Sequence, residues 1–119
     1  MNFPSVPVSI GELIDKITIL QIKQKFSDNE YITKELNDLI KIAEDLQVYK
    51  ESYLNDLMEV NLSLWYIEDE IRIKEKNNEF DDRFIELARS VYKQNDLRAV
   101  IKKKINEETK SAYKEIKIY

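Results

Sequence analysis

From Glu12 onward the chain contains neither glycine nor proline. The only glycine is Gly11, and both prolines, Pro4 and Pro7, precede it. Tight hairpin turns need residues that tolerate a positive φ, and helix breaks are usually enforced by these two residue types. A chain so poor in them favours long helices over sheets or loops. The expected fold class is therefore all-α: a helical bundle of three to four helices with one long antiparallel helical hairpin. At 119 residues the chain is long enough for one domain with a modest core. That domain is read as 1–119, with a short N-terminal arm (1–8) and a C-terminal tail (111–119).

The pattern places the helices. Ser9-Ile10-Gly11-Glu12 fits a capping box, with Val8 and Leu13 in the staple positions. The helix it opens runs to about Phe26 and is apolar on two faces. Ile10, Leu13, Ile14, Ile17 and Leu20 form one, and Ile19, Ile22 and Phe26 the other. Such a helix is usually buried from two sides. A lone subunit would struggle to cover both, so a homodimer is expected. After the turn Ser27-Asp28-Asn29, apolar residues recur at spacings of three and four from Ile32 to Ile71, in a near-heptad stripe interrupted only by Lys50. Whether 30–76 is one helix or two stays open, with 46–54 the place for a break. Asp81 is expected to cap the last helix, with Phe80 and Ile85 as its staple. That helix runs to about Lys110. The tail is read as a strand-like segment packing through Tyr113, Ile116 and Ile118.

Several polar residues fall on inward-facing stripes. In "FIELARSVYKQNDLRAVIKKKIN", Gln94 and Arg98 share a sector with Leu87, Val91, Ile101 and Ile105, flanked by Asn95 and Lys102. In "LWYIEDEIRIKE", Glu68 and Glu75 lie within the stripe and Arg72 beside it. Gln21 and Gln24 do the same on the first helix. A buried charge without a partner is costly, so these groups should be paired or bound. One reading is an internal network in which Arg98 bridges Glu68 and Gln94. The other is a polar pocket whose arginines hold an anion, since the planar guanidinium matches phosphate or carboxylate. Its residues would be Glu68, Arg72, Asn95, Arg98 and Lys102, with Arg89 pointing away.

Composition removes other chemistries. The chain has no cysteine and no histidine, hence no disulfide, no thiolate site and no histidine base or ligand. No Gly-rich phosphate loop and no Ser-His-Asp set is available. Glu12 with Asp15, and Glu35 with Asp38, share an E-x-x-D spacing that holds magnesium in some all-helical pyrophosphatases. Glu12, Asp15 and Asp69 are the metal candidates this leaves, with magnesium needed only if the protein is an enzyme; otherwise no cofactor is expected. Residues 1–82 carry 9 basic and 18 acidic side chains, and residues 83–119 carry 10 and 5. This asymmetry reads as an acidic and a basic helix packed together, not as a nucleic-acid surface, because the overall charge is −4. Lys102-Lys103-Lys104 reads as a solvated run, and Trp65 with Tyr66 as core. No membrane span or basic-then-apolar leader is read, so a cytoplasmic setting is expected.

The strings "SIGELIDKITILQIK", "LWYIEDEIR", "FIELARSVYKQNDLRA" and the closing K-x-Y resemble a family of small bacterial proteins of unknown function (domain of unknown function 6165), from Ser9 to Tyr119. The match is thinnest from about 28 to 60. The family motif falls here on Glu12, Asp15, Lys16, Trp65, Glu68, Asp69, Arg72, Glu86, Arg89, Tyr92, Asn95, Asp96, Arg98 and Lys102. Where the family has Gly-Pro before the last helix, this chain has Asp81-Asp82, so that helix is capped differently. The resemblance implies no activity, only an association with genes of surface polysaccharide assembly. The expectation carried forward is a non-enzymatic binding or accessory protein for a small anionic ligand or a partner protein. Two alternatives stand beside it. One is a magnesium-dependent enzyme acting on a phosphorylated or nucleotide-sugar substrate. The other is a structural homodimer in which the inward polar groups only fix register.

Overall fold

The computed structural model describes residues 2–118; Met1 and Tyr119, the ends of the arm and tail, lie outside them. The described residues form four helices and no strand: α1 (Ile10–Phe26), α2 (Glu30–Asp45), α3 (Glu51–Lys76) and α4 (Asp82–Glu108). The last two make the long antiparallel hairpin.

Helix α1 is the hub, packing against α2, α3 and α4. Ile14 and Ile17 of its first face are fully buried, joining Leu36, Ala43, Leu57 and Val60 in the core. Each such side chain contributes about 1.5–3 kcal/mol by leaving water. The second face is covered only in part: Ile22 is buried, Ile19 is half-buried and Phe26 is exposed.

The stripe from Ile32 to Ile71 is two helices, broken at 46–50 without a glycine or proline. The interrupting residue explains the place. A continuous helix would carry Lys50 on the core stripe, where its charge could not be hydrated. The break sends Val48 inward instead and leaves Lys50 exposed, its Nζ 5.5 Å from the centre of the Tyr53 ring. Gln47 takes a left-handed φ of 60° to allow it, while the Val48 amide returns to the Ala43 carbonyl at 2.9 Å. Asn78 and Lys110 close α3 and α4 in the same left-handed way. A glycine-poor chain must use side-chain-bearing residues at all three ends, each at a conformational cost.

The predicted caps form, with changes in detail. Asp81 accepts the Phe84 amide at 3.0 Å, but Phe80 packs edge-on against Phe84, and Ile85 stays exposed. At the hairpin tip Arg83 meets Glu70 through two hydrogen bonds of 2.8 and 2.9 Å, and Lys74 meets Asp81 at 3.0 Å. The tail does not pack as a strand, and Tyr113, Ile116 and Ile118 are exposed. It folds back along α4 and is held by polar contacts: Glu115 to Lys102 at 3.4 Å and Lys117 to Asp96 at 3.4 Å.

Candidate functional site

The first turn of α1 is locked by the far end of the chain. The Ile10 amide donates to Ser111 Oγ at 3.0 Å, the Gly11 amide to Asn106 Oδ1 at 2.6 Å and the Glu12 amide to Ser9 Oγ at 3.1 Å. Helix starts leave such amides free, and here side chains take all three. The second half of the predicted capping box does not close. The Glu12 carboxylate instead accepts from Lys102 Nζ at 2.7 Å.

One turn further, α1 places Asp15 in the interior with no accessible surface. Both carboxylate oxygens are engaged by Arg98: Nε to Oδ1 at 2.9 Å, and Nη2 to Oδ2. Asn61 on α3 donates through Nδ2 to Asp15 Oδ1 at 3.0 Å and to Thr18 Oγ1 at 2.8 Å. The Thr18 hydroxyl donates in turn to the Asp15 carbonyl at 2.7 Å. The side chains of α1, α3 and α4 thus meet at one fully occupied carboxylate. A buried carboxylate is tolerated only when paired and hydrogen-bonded, and this one is both.

This corrects the expected network, because the partner of Arg98 is Asp15 and not Glu68 with Gln94. Glu68 is exposed and lies 3.7 Å from Arg72 across one helical turn. Asp15 was read as a metal candidate, and Asn61 and Thr18 were not singled out. A signal for them existed. On the α1 wheel Asp15 and Thr18 fall beside Ile22, on the second apolar face, where a carboxylate needs a cation from another helix.

Electrostatics reinforce the arrangement. Hydrogen bonding to Asp15 outweighs the effect of burial and holds the Arg98 guanidinium still more firmly protonated than usual. Burial pulls the Lys102 ammonium down, but its hydrogen bond to Glu12 and the fields of Glu12, Asp15 and Glu115 leave its pKa raised. The Lys102 contribution is then complete below the ordinary lysine pKa of about 10.4 and is lost as pH rises through the higher folded-state value. Relative to Lys102→Met, the wild-type protein should lose stability above about pH 10.4, and the difference should be flat from pH 6 to 9. Urea midpoints across this range measure it; a flat difference up to pH 12 would mean the pairing is absent.

Beside the buried pair lies a cleft of about 510 Å³ between α1, α3 and α4. Ile19, Ile22 and Leu64 supply its apolar wall, and Trp65 stands with them. The Trp65 ring stacks on Phe26 with centroids 5.3 Å apart, whereas Tyr66, read with Trp65 as core, is exposed. Four of the five predicted pocket residues, Glu68, Arg72, Asn95 and Arg98, line this cleft together with Asp69. Lys102 does not; it is buried one turn beyond, on Glu12 and Glu115. Arg72 lines the cleft with 79% of its side chain exposed, 3.7 Å from Glu68. Arg98 shows the cleft the edge turned away from Asp15, where Nη1 makes a long 3.5 Å contact to Asn95 Oδ1.

The metal candidates are not gathered. Asp15 is filled by Arg98 and Asn61, Glu12 is held by Lys102, and Asp69 stands at the cleft. Among the described residues no three acidic side chains converge as a cation site. Nor is any described helix long and apolar enough to cross a membrane.

The model of a family of unknown function (DUF6165) matches residues 5–119. The chain belongs to this family. No curated protein and no solved structure matches it. Of the fourteen motif residues quoted from the sequence, nine fall in two neighbouring places in this DUF6165 member, while Lys16, Glu86, Arg89, Tyr92 and Asp96 lie in neither. Glu12, Asp15, Arg98 and Lys102 form the buried ionic layer, whereas Trp65, Glu68, Asp69, Arg72 and Asn95 line the cleft that layer supports.

Proposed function

We propose that this DUF6165 protein is a binding protein whose cleft holds a small ligand through an anionic group. The supporting observation is that three helices converge on a cleft that places Arg98 and Arg72 beside an apolar and aromatic wall. Small-molecule sites are concave and mostly apolar, with a few polar groups that fix orientation, and a volume of about 510 Å³ lies within their usual range. Arg98 is suited to anchor an anion because Asp15 already fixes two of its N–H groups. A guest then meets a preorganised donor and loses little side-chain freedom. The ionic layer has a structural role and also orients the site.

Trp65 is the only tryptophan, so its fluorescence reports on the cleft directly. Titration with a panel of carboxylates, sugar phosphates and nucleotides should give saturable changes for at least one class. Arg72→Ala, at an exposed position, should weaken that binding about tenfold, or about 1.4 kcal/mol, without altering the fold. A panel that leaves Trp65 unchanged throughout would refute the reading.

A further inference from the structure

The charge balance of the cleft restricts the ligand further, on the premise that the cleft is a binding site. Behind Arg98 lies Asp15, whose carboxylate cancels the guanidinium charge. Glu68 stands within 3.7 Å of Arg72 and offsets it. Asp69 then remains as a further carboxylate on the lining. Two arginines therefore face three carboxylates, and a guest bringing only negative charge would deepen the imbalance. A multiply charged phosphate is the worst case, since like charges in a partly desolvated cleft repel strongly. A guest carrying a cationic amine besides its anion would correct it.

The helix sets the distance between the two ends. Asn61 marks the level of Arg98 on α3, because both donate to the same oxygen of Asp15. Glu68 lies seven residues further along α3, about 10 Å at 1.5 Å per residue. The intervening turn presents Leu64 and Trp65. A free α-amino acid is too short to reach both ends, whereas an extended peptide of two or three residues spans about 7–10 Å. The geometry points to a short, apolar zwitterion of di- or tripeptide size. Its carboxylate would lie on the outer edge of Arg98, its body against Leu64 and Trp65, and its amine at Glu68 and Asp69.

The test uses one framework in three charge states: alanyl-leucyl-alanine, its N-acetyl form (anion only) and its C-terminal amide (cation only). Each is titrated into the full chain with Trp65 fluorescence as the readout, beside glucose 6-phosphate. The free tripeptide should bind at least tenfold more tightly than either blocked form. Glu68→Gln combined with Asp69→Asn, both at exposed positions, should bring it down to the affinity of the N-acetyl form. Equal or tighter binding of the N-acetyl peptide or the sugar phosphate would overturn the zwitterion inference and leave the anion-binding reading standing. If no probe binds at millimolar concentration, the zwitterion inference falls, and the wider panel decides the anion-binding reading.

Discussion

Replacing Asp15 by alanine should cost about 3–5 kcal/mol of folding stability, the usual penalty for removing one member of a buried ion pair. The loss has two parts. The hydrogen bonds of a charged acceptor disappear, two from Arg98 and one from Asn61. The larger part is the guanidinium left behind, whose charge was stabilised by a carboxylate with no access to water. Arg98 retains a partial path to solvent through the cleft, which favours the lower end of the range. The double variant Asp15→Leu with Arg98→Met separates these terms, since it removes both charges and restores apolar volume. It should recover most of the loss, because paired buried charges are frequently no better than well-packed apolar side chains. Urea unfolding of the two variants measures both effects. A loss below about 1 kcal/mol in Asp15→Ala would show that the pair is hydrated in solution, as surface pairs are.

Gly11→Ala should be destabilising by about 2–3 kcal/mol, against the usual trend. In an ordinary helix interior the change to alanine gains about 1 kcal/mol by reducing chain entropy. Here a Cβ at Gly11 would lie 2.7 Å from the Lys102 carbonyl oxygen and 2.9 Å from Asn106 Oδ1. The first of these is helix backbone and cannot swing aside, so α1 and α4 must move apart. That separation strains the Gly11 amide bond to Asn106 and the Glu12–Lys102 pair one residue away. Thermal unfolding should show a lower midpoint for Gly11→Ala, and a midpoint at or above wild type would mean the helices are further apart than the contacts imply.

Much of the architecture was legible because it rests on local chemistry. Ser9 and Asp81 cap α1 and α4 as expected, and such bonds depend on neighbours in sequence; Asn29, read only as part of a turn, caps α2 in the same way. The sequence left open whether 30–76 is one helix or two; the structure breaks it within 46–54, where the charge of Lys50 cannot follow the apolar face inward. Less was legible where the partner lies far along the chain. Periodicity assigned Arg98 to the inside but not to Asp15, 83 residues away, because a helical wheel gives direction and not depth or neighbour. For the same reason Asn106, buried and capping Gly11, passed unnoticed. The tail misled for another reason: Ile116 and Ile118 alternate with charged residues as a strand would, yet Glu115 and Lys117 supply its contacts.

The locking of α1 by Asn106 and Ser111 has a consequence for how the chain reaches its fold. Helical bundles fold fast when their contacts are local. Here the first helix is completed by groups 95 and 101 residues later in the chain. During synthesis α1 precedes its partners, so Asp15 and the helix amides wait for groups made 83, 95 and 101 residues later. The α3–α4 hairpin, closed at its tip by Glu70–Arg83 and Lys74–Asp81, can assemble from near neighbours. Docking of α1 onto it must then carry most of the loop-closure entropy. Variants at Asp15, Gly11 or Asn106 should therefore weaken the final closure of a nearly finished molecule rather than the formation of its helices.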